Sequence, residues 1–146
     1  RQNMVKKKVD DRVDMILGDS DNLPFEDDSI GAITVGFGVR NFEDLEKGLS
    51  EMLRVLQPGQ PAVILEPAVP TKFPMKQLFG LYFRGILPTI GKAISRDNAA
   101  YTYLPESVRA FPNGQEFVDI CLKVGYRTAT FKPLSLGICS LYLLEK

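Results

Sequence analysis

The chain has 146 residues, 45% of them hydrophobic and 25% charged, a composition typical of one soluble globular domain with a single core. Eighteen basic side chains balance eighteen acidic ones, so net charge gives no attraction to nucleic acid or to an anionic membrane, although a local patch stays possible. The absence of any apolar run of about eighteen residues argues against a transmembrane helix. The sequence holds no histidine and no CxxC pair, which excludes the common zinc sites and leaves no metal site to predict.

The N-terminal part of the sequence is basic and then apolar. The lysine run at residues 6–8 lies in a predicted basic helix; a solvated helix face explains it, and contact with phosphates or lipid headgroups is the alternative. Val13 to Leu17 predict a buried strand that leads to Asp19. After an apolar turn at residues 23–25, the small and β-branched residues from Ile30 to Val39 predict a second strand.

A helix and a third strand follow. Apolar side chains recur every three or four residues between positions 42 and 56, which predicts an amphipathic helix with Asn41 as its N-cap. Pro58 and Gly59 end this helix. Ala62 to Glu66 then predict a short, buried, parallel strand.

The segment from Phe73 to Ser95 is unusually apolar, and Pro88 divides it into two predicted helices. It offers more apolar surface than one face of a small sheet needs. One explanation is a helix pair packed over the core or a dimer interface; the other is a lipophilic substrate tunnel or a membrane-facing lid. The sequence leaves both open.

The C-terminal part predicts one helix and two strands. Asn113 to Val124 form the helix, and Tyr126 to Lys132 with Gly137 to Leu144 form strands that pair antiparallel at one edge of the sheet. Cys121 and Cys139 are expected to be packing residues in a reducing, cytoplasmic setting, although a disulfide between them stays open. The whole pattern predicts an α/β fold with flanking helices and an antiparallel edge strand.

Three motifs carry a family resemblance: FGVRN at residues 37–41, RVLQPG at residues 54–59 and YTYLPESV at residues 101–108. With them, the chain from about Val13 onward resembles the ubiquinone/menaquinone biosynthesis C-methyltransferases, which are class I methyltransferases dependent on S-adenosylmethionine. The resemblance implies a Rossmann-like sheet and C-methylation of a prenylated quinol, either demethylmenaquinol or 2-polyprenyl-1,4-benzoquinol. It also implies a lipophilic substrate and the possibility of peripheral contact with a membrane.

The family's first strand and glycine-rich turn, which carry the methionine end of the cofactor, have no counterpart in this sequence. The GFG at residues 36–38 is no substitute, because it lies late in a strand and lacks the third glycine at helix-opening spacing. We therefore expect residues 1–146 to be a single, truncated methyltransferase domain that is inactive alone, with residues 72–112 as a helical insertion on the substrate side.

The resemblance also implies a cofactor site. In such a sheet, ligands lie beyond the carboxyl ends of parallel strands, which places Asp19 and residues 36–41 at the crevice. Asp19 would accept from the adenine amino group, with Ser20 beside it, and a simple turn or cap is the alternative for this acid. Gly36 falls where many relatives carry a serine, so it gives up a hydroxyl contact but leaves room for the cofactor.

Arg40 and Asn41 are the residues expected nearest the substrate, because a strand-end arginine in a cleft is costly unless it meets an anion such as a phenolate. The alternative is that Arg40 only pairs with Glu66 or Asp44 to hold the strand ends together. With no histidine available as base, the sequence does not choose among Glu66, Tyr101 and Tyr103, or a water relayed by Arg40 and Asn41, as the proton acceptor.

Tyr101, Tyr103 and Arg109 form the expected substrate side, with two rings to flank a quinone and a guanidinium to fix an oxygen. Ordinary helix entry and packing is the other explanation for these residues. Two further functions compete: methylation of a different small acceptor, and a noncatalytic module whose apolar helices mediate association. An unpaired apolar sheet edge also predicts a homodimer or a domain-swapped assembly.

Overall fold

The computed structural model describes residues 12–82 and 106–146. Its centre is a four-stranded sheet in the order β1-β2-β4-β3, in which β1 runs parallel to β2 while β4 runs antiparallel to both of its neighbours. The predicted antiparallel edge is confirmed. The strands are β1 (Ile33–Gly36), β2 (Pro61–Pro67), β3 (Thr128–Leu134) and β4 (Cys139–Glu145).

Two helices cover one face of the sheet. They are α1 (Leu45–Val55) and α3 (Gln115–Val124), while the shorter α2 (Met75–Leu81) follows β2 in the chain. Alternate residues of β2 are buried beneath α1 and α3, as the period of a half-covered strand requires. The core joins these surfaces, and its fully buried side chains include Leu49, Leu56, Ile64, Phe117, Tyr142 and Leu144.

Helix α1 begins three residues later than the sequence predicts. Its N-cap is Asp44, whose side chain accepts from the Lys47 backbone N–H at 3.0 Å, so the predicted cap Asn41 is wrong. Asn41 instead closes a short 3₁₀ turn, Val39–Asn41. This turn separates β1 from α1 and sets the position of the residues that follow the strand.

The predicted strand Val13 to Leu17 is wrong for the described residues. These residues have no regular secondary structure, and Leu17 is 99% exposed. A strand is stable only when its backbone groups are paired, and no described strand lies beside this stretch. The strand predicted from Ile30 to Val39 is likewise reduced to four residues, because Phe37 turns the backbone at φ 58° and starts the 3₁₀ turn.

The remaining elements agree with the sequence apart from their limits. Helix α3 begins after Gly114 and ends at Gly125, both of which have positive φ. Of the two helices predicted between Phe73 and Ser95, the structure describes α2, and the segment beyond Tyr82 lies outside the described residues. Within residues 12–82 and 106–146, no helix has the length and hydropathy needed to cross a membrane.

Candidate functional site

The candidate site lies at the carboxyl ends of β1 and β2, where parallel strands of an α/β sheet place their ligands. Gly36 ends β1, and a Cβ built on it would meet no atom within 4 Å. The chain then turns through Phe37 and Gly38 into the turn Val39–Asn41. The space beside the Gly36 Cα is therefore open.

Glu66 is the centre of the site, and its side chain is completely buried at the end of β2. Its Oε1 accepts from the Val39 backbone N–H at 2.7 Å, and its Oε2 accepts from Arg40 Nη1 at 3.0 Å. A buried carboxylate is tolerated only when its oxygens are paired in this way. One carboxylate thus fixes both the backbone of the turn and the arginine side chain that the turn carries.

Arg40 is held on one edge of its guanidinium. Its Nη1 donates to Glu66 and also to the Phe37 carbonyl at 2.6 Å, so the predicted pairing with Glu66 is confirmed and the one with Asp44 is not seen. Its Nε is buried and has no hydrogen-bond partner among the described residues. Nε and Nη2 form one bidentate edge of a guanidinium, and Glu66, which binds Nη1, leaves the Nε of this edge unpaired.

Asn41 lies next to Arg40 on the same turn. Its Nδ2 donates to the Phe37 carbonyl at 3.4 Å, a long bond that contributes little. The two predicted catalytic residues therefore share one acceptor at the end of β1. The structure thus brings the two residues together at the end of β1.

Asp19 and Ser20 form a tight turn of their own. The Asp19 carboxylate accepts from the Asp21 backbone N–H at 3.1 Å, and the Ser20 hydroxyl donates to Asp21 Oδ1 at 3.3 Å. Asp19 is exposed, and Ser20 lines an apolar cleft of about 420 Å³ that runs along β1. Among the described residues, no hydrogen bond joins the side chains of this turn to Arg40.

The loop after this turn is anchored to α1 by residues that the sequence analysis did not single out. Arg54 donates to the carbonyls of Leu23 and Phe25 at 3.1 and 2.9 Å, and it pairs with Glu51 and Asp27. Its hydrogen bond lowers the pKa of the Glu51 carboxyl, which in turn accepts from the Leu23 backbone N–H at 2.9 Å. Two charged residues spaced three apart on a helix gave the only sequence signal for this anchor.

The substrate side is described in part. Tyr101 and Tyr103 lie outside the described residues, whereas Arg109 is exposed in the helical stretch 106–110. A cleft of about 320 Å³ separates this stretch from the 3₁₀ turn, and Arg40 is among its lining residues while Arg109 is not. The structure therefore does not bring Arg109 to the same cleft wall as Arg40.

A buried polar cluster links the end of this stretch to the sheet. Asn113 Oδ1 accepts from the hydroxyls of Ser140 and Tyr142 at 3.2 and 3.0 Å, and the Tyr142 hydroxyl accepts from the Gly114 backbone N–H at 2.9 Å. Ser140 stands opposite Glu66 in the β2–β4 register. Burial raises the pKa of Tyr142 and keeps it neutral, so the cluster fixes the start of α3 beside the site.

Comparison with known proteins decides which family this arrangement belongs to. The model of the ubiE/COQ5 methyltransferase family matches residues 1–146. The chain belongs to this family. The resemblance carried by the three sequence motifs is therefore confirmed.

Curated relatives agree with the family. The chain is 45% identical over its full length to the demethylmenaquinone methyltransferase of Bacteroides fragilis, of which it covers 60%. It is 42% identical over 92% of its length to the ubiquinone/menaquinone biosynthesis C-methyltransferase of Geobacter sulfurreducens, of which it covers 52%. The chain of this family member thus spans little more than half the length of these relatives.

A solved structure shows the same fold at low identity. The chain superposes on a SAM-dependent methyltransferase from Aquifex aeolicus with a TM-score of 0.65 and 14% identity, covering 98% of this chain and 59% of that one. A likeness at this low sequence identity shows the fold alone. The predicted class I methyltransferase fold is confirmed, with β1 and β2 as its parallel strands and β3 and β4 as its antiparallel edge.

Proposed function

We propose that this family member serves the C-methylation of a prenylated quinol, either demethylmenaquinol or 2-polyprenyl-1,4-benzoquinol, with S-adenosylmethionine as the methyl donor. One observation carries the proposal: Arg40 is clamped to the buried Glu66 at the carboxyl ends of the parallel strands, while its Nε is buried without a partner among the described residues. A deprotonated quinol oxygen is an anion of the kind that this edge can bind. The printed name of the Bacteroides fragilis relative supports the substrate class.

The residues around β1 fit the donor. The open space at Gly36 admits close approach of a ligand to the backbone, and the exposed Asp19 carboxylate keeps one oxygen beyond its turn bond to accept from an adenine amino group. Ser20 lines the adjoining cleft. Asp19, Ser20 and Gly36 are therefore the residues that would hold S-adenosylmethionine, which supplies a methyl group on a positively charged sulfur.

Arg40 and Asn41 act on the acceptor. The quinol must lose a phenolic proton, and a ring carbon then bonds to the methyl carbon while the sulfur–methyl bond breaks and leaves its electron pair on a neutral thioether. The ring becomes aromatic again when that ring carbon loses its proton. Arg40 stabilises the ring oxyanion through its Nε edge, and this stabilisation is preorganised because Glu66 and Phe37 already fix Nη1. Asn41 positions the same oxygen from the neighbouring turn position.

The candidates for the proton acceptor are the ones named from the sequence. Protonation of Glu66 would remove the buried negative charge that pairs with Arg40, so a water relayed by Arg40 and Asn41 is the less costly candidate within the described residues. Tyr101 and Tyr103 are the other candidates. With Arg109, they would flank the ring from the insertion at residues 72–112.

Association of two chains is a separate part of the proposal. The outer edge of β1 has no strand beside it among the described residues, and it borders an apolar cleft of about 420 Å³. Unpaired edges of this kind pair with another chain. We expect a homodimer or a domain-swapped assembly, and a monodisperse monomer in size-exclusion chromatography with light scattering would contradict it.

Calorimetric titration with S-adenosylmethionine tests the donor, both on the 146-residue chain and on the chain joined to the portion of the Bacteroides fragilis relative that it does not span. We expect binding in the joined form, weakened in Asp19→Ala and unchanged in Asp119→Ala, a control on the exposed face of α3. Failure of both forms to bind would remove the methyltransferase proposal.

Product analysis tests the acceptor in whichever form binds the donor. Mass spectrometry with a methyl-labelled donor should place the label on a ring carbon of a demethylated naphthoquinol or benzoquinol. Transfer to an oxygen, or only to a small phenol without a prenyl tail, would favour the alternative of a different small acceptor.

A further inference from the structure

We propose that one end of the molecule binds the surface of an anionic lipid bilayer. This lipid-facing surface consists of two exposed apolar side chains, Phe73 and Leu136, and three exposed lysines, Lys72, Lys76 and Lys132. Phe73 lies on the connection from β2 to α2, and Leu136 on the turn Ser135–Gly137 between β3 and β4. Exposed apolar side chains beside basic ones are typical of contact with the surface of a bilayer.

The two apolar side chains protrude from one rigid support. Phe73 is 81% exposed and Leu136 is 77% exposed, and both line the same cleft of about 480 Å³. Their connections are tied together, because the Ala68 backbone N–H donates to the Ile138 carbonyl at 2.7 Å. Two large apolar side chains held in water at one tip are costly for a monomer and suit insertion into the headgroup region.

Charge decides which partner fits this surface. Residues 67–96 contain five Lys and Arg and not one Asp or Glu, although the whole chain has eighteen of each sign. In the described part of that segment, Lys72 and Lys76 are exposed on either side of Phe73, and Lys132 is exposed on β3. A basic rim around apolar tips is complementary to an anionic bilayer, whereas a second copy of this chain would set like charges against each other.

The place of the surface in the fold gives the contact a use. The β2–α2 connection starts where β2 ends, and Pro67 pairs with Cys139 just after the β3–β4 turn, so the lipid-facing surface lies at the same sheet end as Glu66. A prenylated acceptor dissolved in a bilayer would therefore enter at the end of the sheet where Arg40 lies. Only this use rests on the proposed function; the lipid contact itself does not.

Vesicle co-sedimentation of the 146-residue chain tests the proposal. We expect binding to vesicles of equal parts phosphatidylcholine and phosphatidylglycerol, and little binding to phosphatidylcholine alone. The double variant Phe73→Ser with Leu136→Ser should bind about tenfold more weakly. Lys72→Gln and Lys76→Gln should each lower the affinity for the anionic vesicles about fivefold, and each should reduce the sensitivity of binding to added salt.

Two control variants distinguish binding through this surface from non-specific binding by any exposed apolar or basic side chain. Leu17→Ser removes an apolar side chain that is 99% exposed elsewhere, and Lys47→Gln removes a lysine whose side chain is 60% exposed on α1. Neither should change binding. Equal binding to neutral and anionic vesicles, or losses in the controls as large as those in the surface variants, would overturn the proposal.

A second measurement distinguishes lipid binding from self-association and from loss of fold. Light scattering should give the same mass for the Phe73 and Leu136 variants as for the unaltered chain, and circular dichroism the same spectrum. A change of mass with unchanged vesicle binding would assign the surface to a chain–chain contact and overturn the proposal. Donor binding and methyl transfer are measured without vesicles, so failure of the proposed function would show there and not here.

Discussion

Arg40 Nη1 and Glu66 Oε2 lie 3.0 Å apart at the carboxyl ends of β1 and β2, and the second oxygen of the same carboxylate binds the Val39 backbone N–H. A buried pair of this kind is not needed for stability, since apolar residues of similar volume often replace such pairs without loss. What the pair does is hold the Arg40 guanidinium in one orientation. Under the proposed function, Glu66 would be a positioning residue that acts through Arg40.

The first prediction concerns this pair. Glu66→Gln keeps an acceptor for Val39 but sets an amide against Arg40 Nη1. In the chain joined to the portion of the Bacteroides fragilis relative that it does not span, we therefore expect kcat to fall about 100-fold with a smaller change in KM. The kcat of Arg40→Lys should fall by at least as much, because an ammonium group lacks the bidentate edge of a guanidinium. If Glu66 acts through Arg40, the double variant should be no worse than Arg40→Lys alone.

Ser140→Ala is the matched control for this cycle, because Ser140 is buried opposite Glu66 but bonds to Asn113 instead of Arg40. Its kcat should stay within about twofold of the unaltered protein, with only a modest loss of stability. The positioning role fails if the Glu66 and Arg40 effects add, since additivity would mean that the two residues act independently.

The parts of the fold that local patterns determine were predicted well. The amphipathic repeat gave α1, the buried apolar run gave β2, and the two C-terminal strands paired as expected. Their limits moved where one backbone angle or cap intervened, as with Asp44 at the start of α1. The strand from Val13 to Leu17 failed because a strand depends on a partner, which a local pattern does not supply.

The candidate site was predictable by residue type and less so by contact. Arg40 and Glu66 were both named from the sequence, yet it could not tell a structural pair from a substrate-binding one, because that distinction rests on which guanidinium edge is occupied. Asn113 and Arg54 were missed for a related reason. Apart from Glu51, three residues from Arg54, their partners lie 27 or more residues away in the chain, and short-range spacing does not reveal those contacts.

The second prediction concerns the anchor of the cofactor-side loop. Arg54→Met should release the carbonyls of Leu23 and Phe25 from α1 while leaving the core packed. We expect backbone amides in residues 23–29 to exchange with solvent about tenfold faster, and donor affinity to fall because this loop follows Asp19. Lys123→Met removes only the exposed ion pair with Glu46 and should leave both quantities unchanged.

The third prediction compares two glycines in helices. A Cβ on Gly48 in α1 would lie 2.3 Å from Phe42 Cδ2, so Gly48→Ala must displace a ring that packs against the core. We expect a loss of roughly 1–3 kcal/mol in the free energy of unfolding. A Cβ on Gly80 in α2 meets nothing within 4 Å, and Gly80→Ala should stabilise by up to about 1 kcal/mol.

Urea unfolding followed by circular dichroism measures both variants. The packing argument is contradicted if Gly48→Ala is as stable as the unaltered chain, because the helix propensity of alanine would then outweigh the contact with Phe42. Phe42→Leu combined with Gly48→Ala should recover part of the loss, since the smaller side chain makes room for the methyl group.

The fourth prediction concerns alkaline pH. Burial raises the pKa of the Cys121 thiol from 9.0 to about 12, and it also raises that of the Tyr126 hydroxyl, which donates to the Leu49 carbonyl. A raised pKa in the folded state means that the unfolded chain loses its protons first. The stability from these neutral groups is therefore complete below pH 9 and is lost as pH rises toward 12, at about 1.4 kcal/mol per pH unit for each group.

Cys121→Ala isolates the thiol in this window. The variant should be less stable at pH 7 because it leaves a small cavity, but its free energy of unfolding should fall less steeply between pH 9 and 10, before the tyrosine titrates. Cys139→Ala should keep most of the original slope, because the Cys139 thiol is only partly buried. Equal slopes for the unaltered chain and Cys121→Ala would show that this thiol ionises in the folded protein as readily as in the unfolded chain, which would contradict the burial of Cys121 on the core side of α3.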